Sequence, residues 1–311
     1  MRATNQITSI DKKGWSRVPG KISFVKTPEE LAAIGSAYNG RFYQQEKLQI
    51  TWEIPESVYR KILPPGLDPV APIAIAYVSN FMRPQNFYPY TEGALFVLAG
   101  FNGEIGCYCL AMPLDGSDQA LDAGRVTLGY PKKAARVKLA RRGDMIEGWI
   151  ERNDVRILDV KAHAGQYNHP DLGSIWIGEK PDPTVFDDCV YLLDYDLESI
   201  RDRVRQPLDI FQNIKLVRQS NKVTIHKSEP CFVDEFRMGL SEDDPWAELL
   251  PERIIGAEYD CYETDMFGCR LLKSYDSDED RTAVFPYLFA RWDTVLFGKY
   301  HASYKSGNFY R

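Results

Sequence analysis

The stretch KLQITWEI settles what kind of chain this is. Leu48, Ile50, Trp52 and Ile54 alternate with polar residues, the period of two that sets one face of a strand against a core. PIAIAYVSNF reads as a second strand, and ALFVLAGFNGEIGCYCLAM as a hairpin about Asn102-Gly103, a dipeptide suited to positive φ. AARVKLARRGDMIEGWIERNDVRILDVKA reads as antiparallel strands with turns at Arg142-Gly143 and Asn153-Asp154. DIFQNIKLVRQSNKVTIHKSE reads as a hairpin turning at Ser220-Asn221, and ERIIGAEYDCYETDMF as a strand that runs into a loop. Helical signals are brief. They are TPEELAAIGSAY behind a Thr27 cap, PESVYRKILP between two prolines, SDQALDAGRVTLG from Ser117 to Gly129, and DLESIRDRVRQPL up to Pro207. HPDLGSIWIGEKPDPTVF reads as a loop, SYDSDEDRT as a solvated acidic linker, and FPYLFARWDTVLFGKYHASY as a helical tail. Nothing alternates as βαβ. The expected fold is α+β and β-rich, with antiparallel sheets forming a closed or half-closed barrel and a few short helices. One domain is expected over 1–311, with an N-terminal arm at 1–40 and a C-terminal extension at 276–311.

Charge and motif content exclude several functions. Acids and bases are mixed along the chain at a net charge of −6, so no basic stripe suggests nucleic acid and no polybasic segment a membrane. No apolar run is long enough to span a bilayer, and the N-terminus has no apolar signal core, so a cytoplasmic location is expected. Cys107, Cys109, Cys189, Cys231, Cys261 and Cys269 include no C-x-x-C pair and read as packed thiols. His163, His169, His226 and His301 are scattered, so no metal site is expected. The absence of G-x-G-x-x-G, Walker and G-x-S-x-G motifs leaves no support for a nucleotide cofactor or a nucleophile elbow, and no cofactor is expected. The aromatic tail points to a homo-oligomer.

Chemistry concentrates in GRVTLGYPKKAARVKL, where Lys132 and Lys133 follow Pro131 among small and apolar residues. This segment carries the pattern G-R-x(4)-[YF]-P-K-K and resembles the acetoacetate decarboxylase superfamily. The resemblance extends to RKILPPGL, to YTEGA at 90–94 and to LLPERIIGAEYDCY, covering roughly residues 42–275. The arm, the 180–205 region and the tail after Ser274 read as additions. The resemblance implies that Lys132 forms a Schiff base with a ketone carbonyl and that Glu92 handles protons beside the imine. Only a neutral amine attacks a carbonyl. A free lysine has a pKa near ~10.4, so reaching ~7 takes roughly 4.6 kcal/mol of differential destabilisation of the ammonium. Burial and a neighbouring cation are the two means, and acetoacetate decarboxylase is itself the standing example of such a lysine. Lys133, as the neighbouring cation, is counted with Lys132 and Glu92 among the catalytic candidates, although neighbouring strand residues point to opposite faces, so that Lys133 should aim away from Lys132 and burial should dominate. Simple parity conflicts with this, because it groups Lys133 with Ala135, Val137 and Leu139 and leaves Lys132 with Arg136 and Lys138.

The resemblance also places Tyr43, Met112 and Tyr130 near an apolar pocket. Two departures from the family pattern stand out: Gln45 where an arginine is expected, and Tyr77 where a second glutamate is expected. A glutamine cannot grip a carboxylate as a bidentate arginine does. Arg125 and Arg83 are the remaining candidates to hold a substrate carboxylate. The expected activity is a carbon–carbon lyase reaction on a small-molecule oxo acid, most simply decarboxylation of a β-keto acid other than acetoacetate. The alternatives are aldolase–dehydratase or hydratase chemistry with the same lysine, or a non-catalytic protein that binds a ketone metabolite.

Overall fold

A computed structural model describes residues 25–37, 40–176, 184–198 and 210–293. Two compact units are distinguished. In the first, Met1–Tyr38, the described part is one helix, α1 (Pro28–Ala37). Thr27 opens it with a capping box: Glu30 N–H donates to Thr27 Oγ1 (3.2 Å), and Thr27 N–H donates to Glu30 Oε2 (3.0 Å).

The second unit, Asn39–Arg311, is built on one large sheet. Its strands are β1 (Gly40–Glu53), β2 (Ile73–Pro84), β3 (Tyr90–Phe101), β4 (Glu104–Asp115), β5 (Lys132–Ala134), β6 (Arg136–Arg142), β7 (Met145–Arg152), β8 (Val155–Ala164), β9 (Thr184–Leu197), β10 (Phe211–Arg237) and β11 (Arg253–Ser274). Hydrogen-bonded neighbours run β11-β1-β2-β3-β4-β9-β10, and a further β10–β11 pairing closes this path into a ring. From β10 the sheet continues as β8-β7-β6. Pairing is antiparallel except where β4 meets β5 and β9, so the sheet is mixed. The β-rich expectation with few helices describes this fold.

Several local readings need correction. Ser220-Asn221 is not a turn, because β10 runs through it for 27 residues and only shifts register against β11 there. β11 likewise continues through the expected loop for 22 residues. Each of these strands pairs with more than one neighbour along its length, and that tertiary pairing overrides the local turn signal. The acidic segment is a helix (Asp278–Val284), because Ser277 caps it by accepting from Asp280 N–H (3.1 Å). Pro170–Trp176, expected as loop, is helical, and β9 begins at Thr184. The helix expected in DLESIRDRVRQPL falls mostly outside the described residues, as does the tail beyond Asp293; Phe285–Arg291 of that tail forms a 3-10 helix. The hairpin turns stand as expected, with Asn102, Gly103, Asn153 and Asp154 all at positive φ.

The ring has two differently used faces. Outward, Leu48, Ile50 and Trp52 of β1 and Ala74, Ala76 and Val78 of β2 share the main core with Val137, Ile146, Ile150 and Val160 of β6–β8. Gly93 is needed there, since a Cβ on it would overlap the Ile150 side chain. Inward, Ala94, Phe96, Cys109, Met112, Tyr130, Val190, Leu192 and Val217 form a second apolar cluster. The two periodicities of one strand therefore feed two separate environments.

Candidate active site

β5 is only three residues long, yet it decides where the lysine pair goes. It lies parallel to β4, with Lys132 opposite Met112 and Lys133 opposite Pro113. Met112 N–H donates to the Pro131 carbonyl (3.1 Å), and Lys132 N–H donates to the Tyr130 carbonyl (2.8 Å). Both lysines are buried at 5% exposure, on opposite faces. The chain breaks strand geometry at Ala135, and β6 belongs to a different part of the sheet. Parity counted from Lys132 to Leu139 therefore crosses two strands, which removes the conflict met in the sequence.

On the inner face Lys132 Nζ donates to Glu92 Oε2, and Glu92 is 2% exposed. Tyr77 donates its hydroxyl to the other carboxylate oxygen, Glu92 Oε1 (2.8 Å). Burial, then the Glu92 charge, push the Tyr77 phenol well above its ordinary value, so it remains a neutral donor. The rings of Tyr90 and Tyr130 stand 5.6 and 5.9 Å from Nζ, within cation–π range. Burial raises both phenols as well. Gly124 completes the enclosure from a π-helical turn, Ala123–Thr127, which follows a helix capped by Ser117. Its carbonyl accepts from Tyr130 N–H (3.0 Å), and a side chain on it would strike Cδ and Cε of Lys132.

The other residues expected in the site divide. Met112 and Tyr130 belong to the inner apolar cluster beside Lys132. Gln45 is buried on β1, four pairings along from the level of Tyr77, and donates from Nε2 to Thr264 Oγ1 (3.0 Å). Tyr43 does not join them: its ring lies under the guanidinium groups of Arg41 (4.8 Å) and Arg83 (5.8 Å). Arg125 is turned away to the C-terminal segment, donating to the Arg291 carbonyl (2.8 Å) and covering the Trp292 ring (5.0 Å). Lys133, expected with the catalytic groups, lies across the sheet from them. Its ammonium donates to the Asp243 carbonyl (2.6 Å) and pairs with Asp244 and Asp293 (3.2 Å each). Arg152 bridges the same two carboxylates at 2.7 and 2.6 Å, so each of these cations faces both anions. Consecutive residues of a strand diverge, and the sheet then places different chemistry behind each.

Tyr90 and Gly124 were missed as site residues although both lie inside the quoted motifs. A tyrosine and a glycine carry no chemistry by themselves; only the packing gives them a role.

A family profile described as acetoacetate decarboxylase matches residues 24–275. The chain belongs to the acetoacetate decarboxylase family. Among curated relatives of this family, the CLA biosynthesis isomerase of Lactiplantibacillus plantarum is 26% identical over 270 residues, spanning 84% of this chain and 92% of the relative. The acetoacetate decarboxylase of Burkholderia ambifaria is 32% identical over 132 residues, 42% of this chain and 52% of the relative. Solved structures share the fold. An acetoacetate decarboxylase from Legionella pneumophila superposes with a TM-score of 0.64 at 18% identity, covering 78% of this chain and 90% of its own. The enduracididine biosynthesis enzyme MppR, complexed with pyruvate, gives 0.64 at 16% identity, covering 84% and 100%.

Proposed function

We propose that this family member is a single-domain imine-forming enzyme in which Lys132 captures a ketone and Glu92 moves the proton. The buried Lys132–Glu92–Tyr77 chain carries the reading. Passing a proton from the ammonium to Glu92 along their hydrogen bond leaves a neutral amine, which attacks the carbonyl carbon. Loss of water then gives the protonated imine. That cation draws electrons from the neighbouring carbon, so a bond there breaks without a free carbanion.

Which bond breaks depends on what can sit beside the imine. A substrate carboxylate there would face Glu92, and two like charges 4 Å apart repel by about 4 kcal/mol at an effective dielectric near 20. Gln45 supplies no compensating charge, and Arg125 is turned elsewhere. A C–H bond has no such difficulty. Glu92 takes the proton α to the imine of a β,γ-unsaturated ketone, giving a dienamine. It returns the proton at the γ carbon, and hydrolysis releases the conjugated isomer with no net gain or loss of atoms. Long-range similarity to an isomerase favours this reading. The second reading is decarboxylation of an oxo acid with an apolar body, favoured by the decarboxylases among the relatives. In that case the imine takes the electrons of the departing CO2 and Glu92 protonates the enamine.

Borohydride reduction in the presence of long-chain oxo acids, followed by peptide mapping, should place the adduct on Lys132. Deuterium from solvent should enter the α or γ carbon of an unsaturated oxo acid during turnover. Adduct formation without exchange, with CO2 release from β-keto acids, would select the second reading. The kcat/KM for acetoacetate should be the lowest of the panel; if it is the highest, both the Gln45 and the Tyr77 arguments are wrong.

A further inference from the structure

On β10 the inward positions are Val217, Gln219 and Asn221, because Leu216 belongs to the outer core and Arg218 bonds outward to Glu104. Gln219 and Asn221 are 2% and 7% exposed, yet among the described residues each has a side-chain oxygen with no hydrogen-bond donor: Gln219 Oε1 and Asn221 Oδ1. Leaving such an acceptor buried and unmet costs roughly 1–3 kcal/mol. Their amide nitrogens are committed and fix how the groups are turned. Gln219 Nε2 donates to the Ser220 carbonyl (3.0 Å), and Asn221 Nδ2 donates to Asp188 Oδ2 (3.4 Å). Reversing the Gln219 amide would set its oxygen against the Ser220 carbonyl.

Their position relative to the lysine follows from pairing. Gln219 lies opposite Val190 and Asn221 opposite Asp188 on β9, while Val190 and Val217 belong to the same apolar cluster as Met112 and Tyr130. Asn221 also stands by the Tyr130 phenol, whose ring is 5.9 Å from Lys132 Nζ. An apolar span thus joins the lysine at one end to two unmet acceptors at the other. Asp188 adds a buried carboxyl, which burial holds above the ordinary aspartate range.

We propose that Gln219 and Asn221 form a distal subsite for a hydrogen-bond-donating group of the substrate, a hydroxyl or an amide N–H, separated from the reacting carbonyl by an apolar segment. This rests on Lys132 being the imine-forming residue. Two acceptor oxygens beside an aspartate repel a second carboxylate, so the subsite selects a hydroxylated or amide-bearing oxo compound over a dicarboxylic one. Neither residue touches the reacting atoms; both act on specificity.

The test uses a matched pair of ketones of equal chain length, one ending in a methyl and one in a hydroxyl, in borohydride trapping followed by mass spectrometry. The concentration giving half-maximal adduct should be roughly fivefold lower for the hydroxy ketone, the effect of the one hydrogen bond its hydroxyl can donate to either oxygen. In the near-isosteric pair Gln219→Met and Asn221→Leu the preference should fall below about twofold, with the methyl-ended ketone still trapped. The wild-type comparison stands even if the variants fold poorly. An adduct on Lys132 with no hydroxyl preference overturns this inference alone, and so does a preference that survives both substitutions. No adduct with either ketone removes the imine reading and this one with it.

Discussion

Gly124→Ala is the sharpest single test of how Lys132 is held. A Cβ at this position would overlap Cε and Cδ of Lys132 by roughly an ångström or more relative to ordinary carbon–carbon contact and would stand 3.3 Å from Nζ. The lysine cannot easily yield. Its amine is tied to Glu92, Tyr90 and Tyr130 flank it, and its backbone is fixed by the β4 pairing. Crowding a packed interior in this way costs about 1–3 kcal/mol, and alanine recovers up to about 1 kcal/mol through helix propensity. The net loss of stability should be about 0–2 kcal/mol, small for a domain of this size. The functional loss should be far larger, because displacing a reacting group by about 1 Å costs about a hundredfold. Thermal unfolding and single-turnover borohydride trapping on the same preparation separate the two effects. The expected result is a melting temperature within a few degrees of wild type with imine formation slowed about a hundredfold. A Gly124→Ala protein that traps ketones at the wild-type rate would refute the packing argument.

Glu92→Gln should slow imine formation, because the ammonium loses its proton acceptor, and should lower turnover further, by about 10²–10⁴, as expected for loss of a general acid–base; the adduct that still forms should map to Lys132, measured as kcat against trapping rate. Lys133→Met removes one of the two cations facing the buried Asp244 and the half-buried Asp293 and leaves Arg152 to compensate them, so chemical denaturation should show a loss of about 1–3 kcal/mol, with the borohydride adduct still mapping to Lys132. Hydrogen bonds from Arg141 and then Lys227 draw the Glu229 carboxyl down to about 2, below the ~4.3 of an unfolded chain. Its contribution is present above that unfolded value and is lost as pH falls toward 2. Urea midpoints of wild type and Glu229→Gln should therefore converge between about pH 5 and pH 2, and a gap that widens on acidification would contradict this.

The sequence by itself determined a good deal. Alternation in KLQITWEI and the Asn-Gly and Asn-Asp turns predict β-rich antiparallel pairing, because a period of two and positive-φ turns are local properties. The P-K-K motif and YTEGA single out Lys132 and Glu92, which lie 40 residues apart in the chain and share a hydrogen bond. Opposite pointing of the two lysines also follows from local geometry. Other features are not local. β9, whose DDCVYLLDYD has no clean alternation, is buried on both faces where it enters the ring between β4 and β10. Ser220-Asn221 reads as a turn until neighbours on both sides hold β10 straight through it. Arg125 sits one residue from Gly124, yet it serves the C-terminal segment while Gly124 makes room for the lysine. Residue type limits what a side chain can do. Which neighbour it meets is decided by long-range strand pairing, since burial and the donors and acceptors brought within reach exist only once the ring has closed.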